Sequence, residues 1–161
     1  EYGRIDNTHC FDAEQKMIFV SNSLDETNKI AKLLAENIPI GKVIALIGNL
    51  GTGKTTFTQG FASAMGIKER VGSPTFKLVS EYSGKNGSLY HIDAYRLDGA
   101  KEFLNIGGED YLYPQNGITI IEWADLISDL LDEKIIYIYM FRMDGEKNKR
   151  KIEIKGIDIN L

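Results

Sequence analysis

The sequence predicts an α/β fold of three layers, with a mixed sheet that is parallel around the strand at 42–48 and antiparallel at one side. Three observations carry that prediction. K-V-I-A-L-I-G (42–48) is a nearly unbroken apolar run of strand length, as expected of a strand covered on both faces. Short apolar runs alternate with segments whose apolar residues recur at helical intervals. Near the end, I-I-Y-I-Y-M-F-R-M (135–143) and R-K-I-E-I-K-G (150–156) alternate in polarity around the polar turn D-G-E-K-N-K, as an antiparallel pair does.

The elements follow in order. M-I-F-V-S (17–21) reads as a strand. Ser23 to Glu26 has capping-box spacing, and Ile30, Leu33, Leu34 and Ile38 follow at helical intervals until Pro39 and Gly41 end the helix. After the strand at 42–48, Phe57, Phe61, Ala62 and Met65 mark a helix over 55–65, stopped by Gly66. F-K-L-V-S-E-Y (76–82) and S-L-Y-H-I-D (88–93) flank S-G-K-N-G, a hairpin turn. Residues 99–112 suggest a short helix and a loop, G-I-T-I-I-E (117–122) a buried strand, and A-D-L-I-S-D-L-L (124–131) another short helix.

Composition sets bounds on this fold. With 161 residues, 43% of them hydrophobic, the chain can bury the core of one compact domain. Residues 1–16 show no period and begin with Glu, so they read as an N-terminal extension or expression remnant ahead of a domain at 17–161, and His9 and Cys10 receive no role. A net charge of −4 offers no broad basic surface to nucleic acid. One cysteine allows no internal disulfide, which fits a reducing compartment. No apolar stretch approaches the ~20 residues that span a bilayer, and no signal-peptide pattern opens the chain, so the expectation is a cytoplasmic protein without a membrane partner.

Gly48-Asn49-Leu50-Gly51-Thr52-Gly53-Lys54-Thr55 matches G-x-x-x-x-G-K-[ST] in full, after a buried strand and before a helix. In that context glycines let successive backbone N–H groups turn inward onto phosphate oxygens, while the helix dipole adds positive potential. Lys54 would reach the β- and γ-phosphates and Thr55 would put its hydroxyl on Mg²⁺. The fold expected is therefore P-loop NTPase-like. Such a cradle needs a carboxylate for the metal, and two stand at strand ends, Asp93 and Glu122, which spacing alone does not tell apart.

The remaining candidates are weaker. The loop V-G-S-P-T-F (71–76) sits where nucleotide hydrolases carry a switch whose threonine, here Thr75, meets the γ-phosphate, although a Pro-stiffened turn explains it as well. Strand alternation would put His91, Asp93 and Tyr95 on one face and Arg96 on the other. His91 reads better as a buried supporting residue than as a base, and Trp123 better as packing than as part of a catalytic loop. Lys147, Lys149, Arg150 and Lys151 read first as a solvated hairpin turn, and otherwise as a phosphate, adenine-side or tRNA contact.

G-N-L-G-T-G-K-T-T-F-T-Q-G (48–60), S-P-T-F (73–76) with E-Y (81–82), H-I-D-A-Y-R-L (91–97) and I-E-W-A-D (121–125) together resemble the TsaE (YjeE) family, over about residues 17–156. The resemblance implies an ATPase that supports bacterial synthesis of threonylcarbamoyladenosine at adenosine 37 of tRNAs reading ANN codons. It would act with TsaB and TsaD and meet tRNA indirectly through that assembly, with ATP and Mg²⁺ bound and ADP as product. It further implies nucleotide contacts from Leu50, Gly51, Thr52, Gly53, Lys54, Thr55 and Thr56, and base contacts from Ser23, Leu24 and Thr27. Thr55 and Glu122 would hold Mg²⁺, and Lys54, Thr75, Asp93 and Glu122 would serve hydrolysis. Asn49, where the family more often has an acid, and the extra N-terminal residues depart from its pattern. The alternatives are a small-molecule or nucleoside kinase on the same loop, for whose lid the chain is short, and a nucleotide switch that barely hydrolyses. No N-K-x-D motif for guanine is present.

Overall fold

The structure, a computed structural model, describes residues 16–72 and 78–159. Among the described residues seven strands form one sheet: β1 (Met17–Ser21), β2 (Val43–Ile47), β3 (Val79–Gly84), β4 (Gly87–Asp93), β5 (Gly117–Glu122), β6 (Ile136–Met143) and β7 (Glu146–Lys155). Their order across the sheet is β1-β7-β6-β2-β5-β4-β3. β2 lies between β5 and β6 and is parallel to both, and β4 is parallel to β5. The expected antiparallel side is β7, paired with β6 and β1. The β3–β4 hairpin adds an antiparallel pair at the opposite edge, turning at Lys85 and Asn86.

Two helices, α1 (Leu24–Asn37) and α2 (Lys54–Ala64), cover one face. Ser23 starts α1: its Oγ accepts the Glu26 N–H at 3.1 Å, and the Glu26 carboxylate accepts the Asn22 N–H at 2.6 Å. On this face Ile30 and Leu34 of α1 and Phe57 and Phe61 of α2 pack on Ile44, Leu46, Ile120 and Ile138 of the sheet. Alternation sends Val43, Ala45 and Ile121 to the other face, where Phe103 of α3 (Gly99–Asn105) and Ile127 cover them. Each fully buried Ile, Leu or Phe among them contributes roughly 1.5–3 kcal/mol. Helices therefore lie on both faces of the central strands, the three layers the sequence predicts.

Three details differ from expectation. Residues Ala124–Leu130 form a 3₁₀ segment kinked at Ile127 rather than a regular helix. The 144–149 turn is tighter than its polarity suggests: Asp144 and Gly145 make the turn, and β7 already begins at Glu146. Backbone pairing at a solvated hairpin end needs no apolar side chains, so polarity hides it. The register also breaks there, with Arg142 opposite Arg150 but Met143 opposite Glu146, which leaves residues 147–149 as a bulge. Among the described residues no helix is long and apolar enough to cross a membrane.

Candidate functional site

The carboxyl ends of β2, β4 and β5 meet at one edge of the sheet, where ligands bind in open α/β folds. β2 delivers the chain to Gly48. A Cβ at that position would lie 2.6 Å from Thr52 Oγ1 and 2.7 Å from Met140 O, so only glycine fits. The loop closes on itself through Asn49 O, which accepts the Thr52 N–H at 3.3 Å and the Thr52 hydroxyl at 2.9 Å. Gly51 and Gly53 then take φ of +79° and +100°, and the chain enters α2 at Lys54.

Lys54 is 7% exposed. Its Nζ donates to Asn49 O at 3.1 Å and to Gly48 O, and it lies 4.3 Å from the centre of the Trp123 ring. Burial lowers its pKa, while the charges of Glu122, Asp93 and Asp125 act the other way.

Parallel pairing of β4 with β5 sets Asp93 opposite Glu122, and pairing of β2 with β5 sets Glu122 opposite Leu46, two residues before Gly48. Both acids thus stand at one level beside the loop. His91, fully buried, meets Glu122 Oε2 through Nε2 at 3.0 Å. Among the described residues its Nδ1 is buried without a partner, which suits the tautomer whose hydrogen is on Nε2 and donated to Glu122. His91 therefore supports the acid, as its sequence context suggests. Asp93 accepts the Tyr95 N–H at 3.1 Å. Burial, foremost, holds its carboxyl above the usual aspartate range, with the Tyr95 N–H opposing and Glu122 reinforcing.

Most of the expected residues come together. One cleft of about 590 Å³ is lined by Leu50, Gly51, Gly53, Lys54, Thr55 and Thr56, and across from them by Asp93 and Glu122. Leu24 lines it from the start of α1. Thr52 faces elsewhere: its side chain is buried, and it lines an adjoining cavity of about 300 Å³ with Asn49 and Arg142. Ser23 and Thr27 are not among the residues that line the cleft. The Ser23 hydroxyl caps α1, and the buried Thr27 hydroxyl pairs with Ser21 Oγ at 2.7 Å. Ser73 and Thr75, the expected switch, lie outside the described residues.

Other lining residues stood in the sequence only as secondary readings. Alternation fails after Asp93, because Asp93 caps a 3₁₀ turn over Ala94–Arg96. That turn brings Arg96 to the same side as Asp93, with Nε 4.0 Å from Oδ2, and sets Tyr95 against Trp123, ring centres 5.1 Å apart. All three side chains line the cleft, so Trp123 is more than packing. Arg150 reaches the loop from β7, donating from Nε to Thr52 O at 3.1 Å and from Nη2 to Gly51 O at 3.3 Å. One signal for it was available: Arg150 shares parity with the core residues Ile152 and Ile154, which puts it on the face that carries α2 and the loop.

The site is suited to a phosphate tail: backbone amides, a helix start and a buried ammonium on one wall, two carboxylates on the other. Its donors also suit Mg²⁺. That ion prefers oxygen, keeps several waters and takes one or two carboxylates with phosphate oxygens, and Thr55 and Glu122 offer a hydroxyl and a carboxylate in the same cleft. Among the described residues no group of three His, Cys, Asp or Glu could hold a metal ion, so a cation here would share phosphate ligands.

Comparison with known proteins points to one family. The family model for threonylcarbamoyl adenosine biosynthesis protein TsaE matches residues 21–152, from β1 into β7. The chain is similar to the tRNA threonylcarbamoyladenosine biosynthesis protein TsaE of Bacillus subtilis, at 40% identity over 125 residues, 78% of this chain and 77% of that one. The protein of the same name in Borreliella burgdorferi is 33% identical over 146 residues, 91% of this chain and 97% of that one. The crystal structure of Bacillus subtilis YdiB has the same fold, with a TM-score of 0.72 at 34% identity, covering 86% of this chain and 84% of that one.

Proposed function

The chain belongs to the TsaE family, and we propose that it binds Mg²⁺ and ATP in the cleft beside Lys54 and hydrolyses ATP slowly in support of tRNA threonylcarbamoyladenosine biosynthesis. The observation that carries this reading is the meeting of Lys54, Thr55, Asp93 and Glu122 in one cleft at the mouth of the glycine loop.

Each residue has a task the geometry supports. The amides of the loop cradle the phosphates, and Lys54 exchanges its carbonyl partners, Gly48 and Asn49, for β- and γ-phosphate oxygens. Thr55 and Glu122 hold Mg²⁺, with His91 fixing the Glu122 carboxylate. The bound ion supplies positive charge to the phosphate oxygens. Asp93, whose affinity for a proton is raised by burial, orients the attacking water. The water oxygen bonds to the γ-phosphorus and the bond to the bridging oxygen breaks. ADP leaves with that electron pair, and Asp93 holds the water proton until phosphate takes it. Leu24, which lines the cleft from α1, touches the base in this reading.

Arg96 and Arg150 are both engaged, with Asp93 and with loop carbonyls respectively, which favours slow turnover by the chain alone. TsaB and TsaD are the proposed partners, in the cytoplasm, with tRNA reached through them. Phosphate release measured with and without TsaB and TsaD tests the reading. Slow release that the partners accelerate is expected. Fast release by the chain alone, or phosphate found on an acceptor other than water, would overturn it.

A further inference from the structure

We infer that Arg150, together with the bulge at residues 147–149, is a positioning residue that sets the orientation of the Gly51–Gly53 peptides of the nucleotide loop. A guanidinium has five N–H donors, and in Arg150 backbone carbonyls take four contacts. Nε meets Thr52 O at 3.1 Å, Nη2 meets Gly51 O at 3.3 Å, and Nη1 meets Lys147 O and Lys149 O, both at 3.0 Å. A side chain held this way is a rivet between two backbone segments, not a cation waiting for phosphate.

The consequence follows from peptide planarity. In a trans peptide, C=O and the next N–H point in opposite directions. Pinning Gly51 C=O therefore directs the Thr52 N–H inward, where it meets Asn49 O at 3.3 Å and closes the loop. Pinning Thr52 C=O turns the Gly53 N–H to the side away from Arg150, and Gly53 lines the cleft. Gly51 and Gly53, both left-handed, bring no side chain that could fix these peptides. The clamp comes instead from a strand 98 residues further along the chain.

The bulge is the other half of the device. Regular pairing of β6 with β7 would leave no reason for the register to jump between Arg142 and Met143. The three extra residues turn two carbonyls onto Nη1, which fixes the guanidinium while its remaining nitrogens face the loop. Lysine cannot replace this fork, because an ammonium has no planar set of divergent donors.

Hydrogen exchange of the backbone amides at 49–55, in the protein without nucleotide, tests the inference with Arg150→Lys and Arg150→Met. Both variants are expected to exchange about tenfold faster there, with β5 unchanged, because two charge-assisted bonds to the loop are lost. In the nucleotide arm, which rests on the function proposed above, the Kd values for ATP and ADP rise together by about tenfold in both variants while kcat at saturation changes less. Should Arg150→Met fold poorly, Arg150→Lys, which keeps the charge and the stem, decides alone. Loop exchange and affinity within about twofold of the unsubstituted chain would overturn the inference. So would normal behaviour of Arg150→Lys beside a defective Arg150→Met, since charge alone would then suffice, and so would faster exchange spread through β5. If the unsubstituted chain bound no ATP, the proposed function would fall and the exchange result would still decide on Arg150.

Discussion

The loop from Gly48 to Thr55 works through its backbone, whereas the wall that faces it works through side chains delivered by separate strands. The loop is one contiguous stretch, and what it offers a phosphate is amides, a helix start and one ammonium. Asp93 comes from β4 and Glu122 from β5, and only sheet pairing brings them together. The difference teaches where each half is vulnerable. Asn49 and Leu50 can vary while the cradle keeps its amides. The wall depends on register, since a slip of one residue would send an acid to the other face of the sheet.

Lys54→Ala attacks the loop at its single charge and carries the largest expected effect. The side chain is buried against Trp123 and holds the loop through the carbonyls of Gly48 and Asn49, so its loss removes a loop tie and, on the function proposed above, a phosphate contact as well. ATP affinity should fall by about 100-fold or more, as for a charge-assisted contact in a partly desolvated site. Isothermal titration checks it, and ATP uptake at normal affinity would break the contrast, because the loop would then bind by amides alone.

Glu122→Gln attacks the wall. Glutamine still accepts from His91 Nε2, so the buried pair is preserved while the negative charge for a cation is lost. Turnover is expected to fall by about 10²-fold, with a higher Mg²⁺ requirement and much smaller loss of ATP affinity. A magnesium titration of phosphate release separates the two. An unchanged magnesium requirement would remove Glu122 from the metal.

The two halves also differ in how far the sequence reveals them. Seven strands and the two main helices are legible because burial imposes period on them: K-V-I-A-L-I-G must be covered twice, and Ile30, Leu34, Phe57 and Phe61 repeat at helical spacing. The loop is legible because its chemistry lies in consecutive residues. The wall is half legible. Asp93 and Glu122 announce themselves as acids ending apolar strands, but their neighbour relation is a matter of strand order, which no local pattern encodes. Arg96 defeats strand parity because the capping of a 3₁₀ turn by Asp93 ends the alternation one residue early. Arg150 hides in a run of lysines, since the bulge that aims it is set by long-range pairing.

Asp93→Asn sharpens the contrast with opposite effects on activity and stability. Asparagine keeps the acceptor for the Tyr95 N–H but cannot take a proton from water. Turnover should drop by about 10- to 100-fold with ATP binding retained. Stability should move the other way. Burial raises the Asp93 pKa in the folded chain above its ordinary value of 3.8, so folding favours the protonated form. The stabilisation this gives is complete below pH 3.8 and is lost as pH rises through the folded value. At neutral pH the ionised carboxyl therefore opposes folding, and Asp93→Asn should melt at higher temperature than the unsubstituted chain. The advantage should shrink as the solution is acidified. A melting temperature lowered at every pH would show Asp93 to be a structural acid.

Ser23→Ala has the smallest expected effect and tests the border between the two halves. Its family resemblance makes Ser23 a base contact, yet its Oγ accepts the Glu26 N–H and the cleft is reached at this point by Leu24. If capping is its task, alanine should cost about 1 kcal/mol of stability in denaturant unfolding, and asparagine should restore it. ATP affinity should stay within about twofold, because α1 is also held by its buried face against α2 and the sheet, which keeps Leu24 in place. A loss of ATP affinity with unchanged stability would instead move Ser23 into the binding site. The nucleotide base would then be read by the hydroxyl rather than by the apolar rim alone.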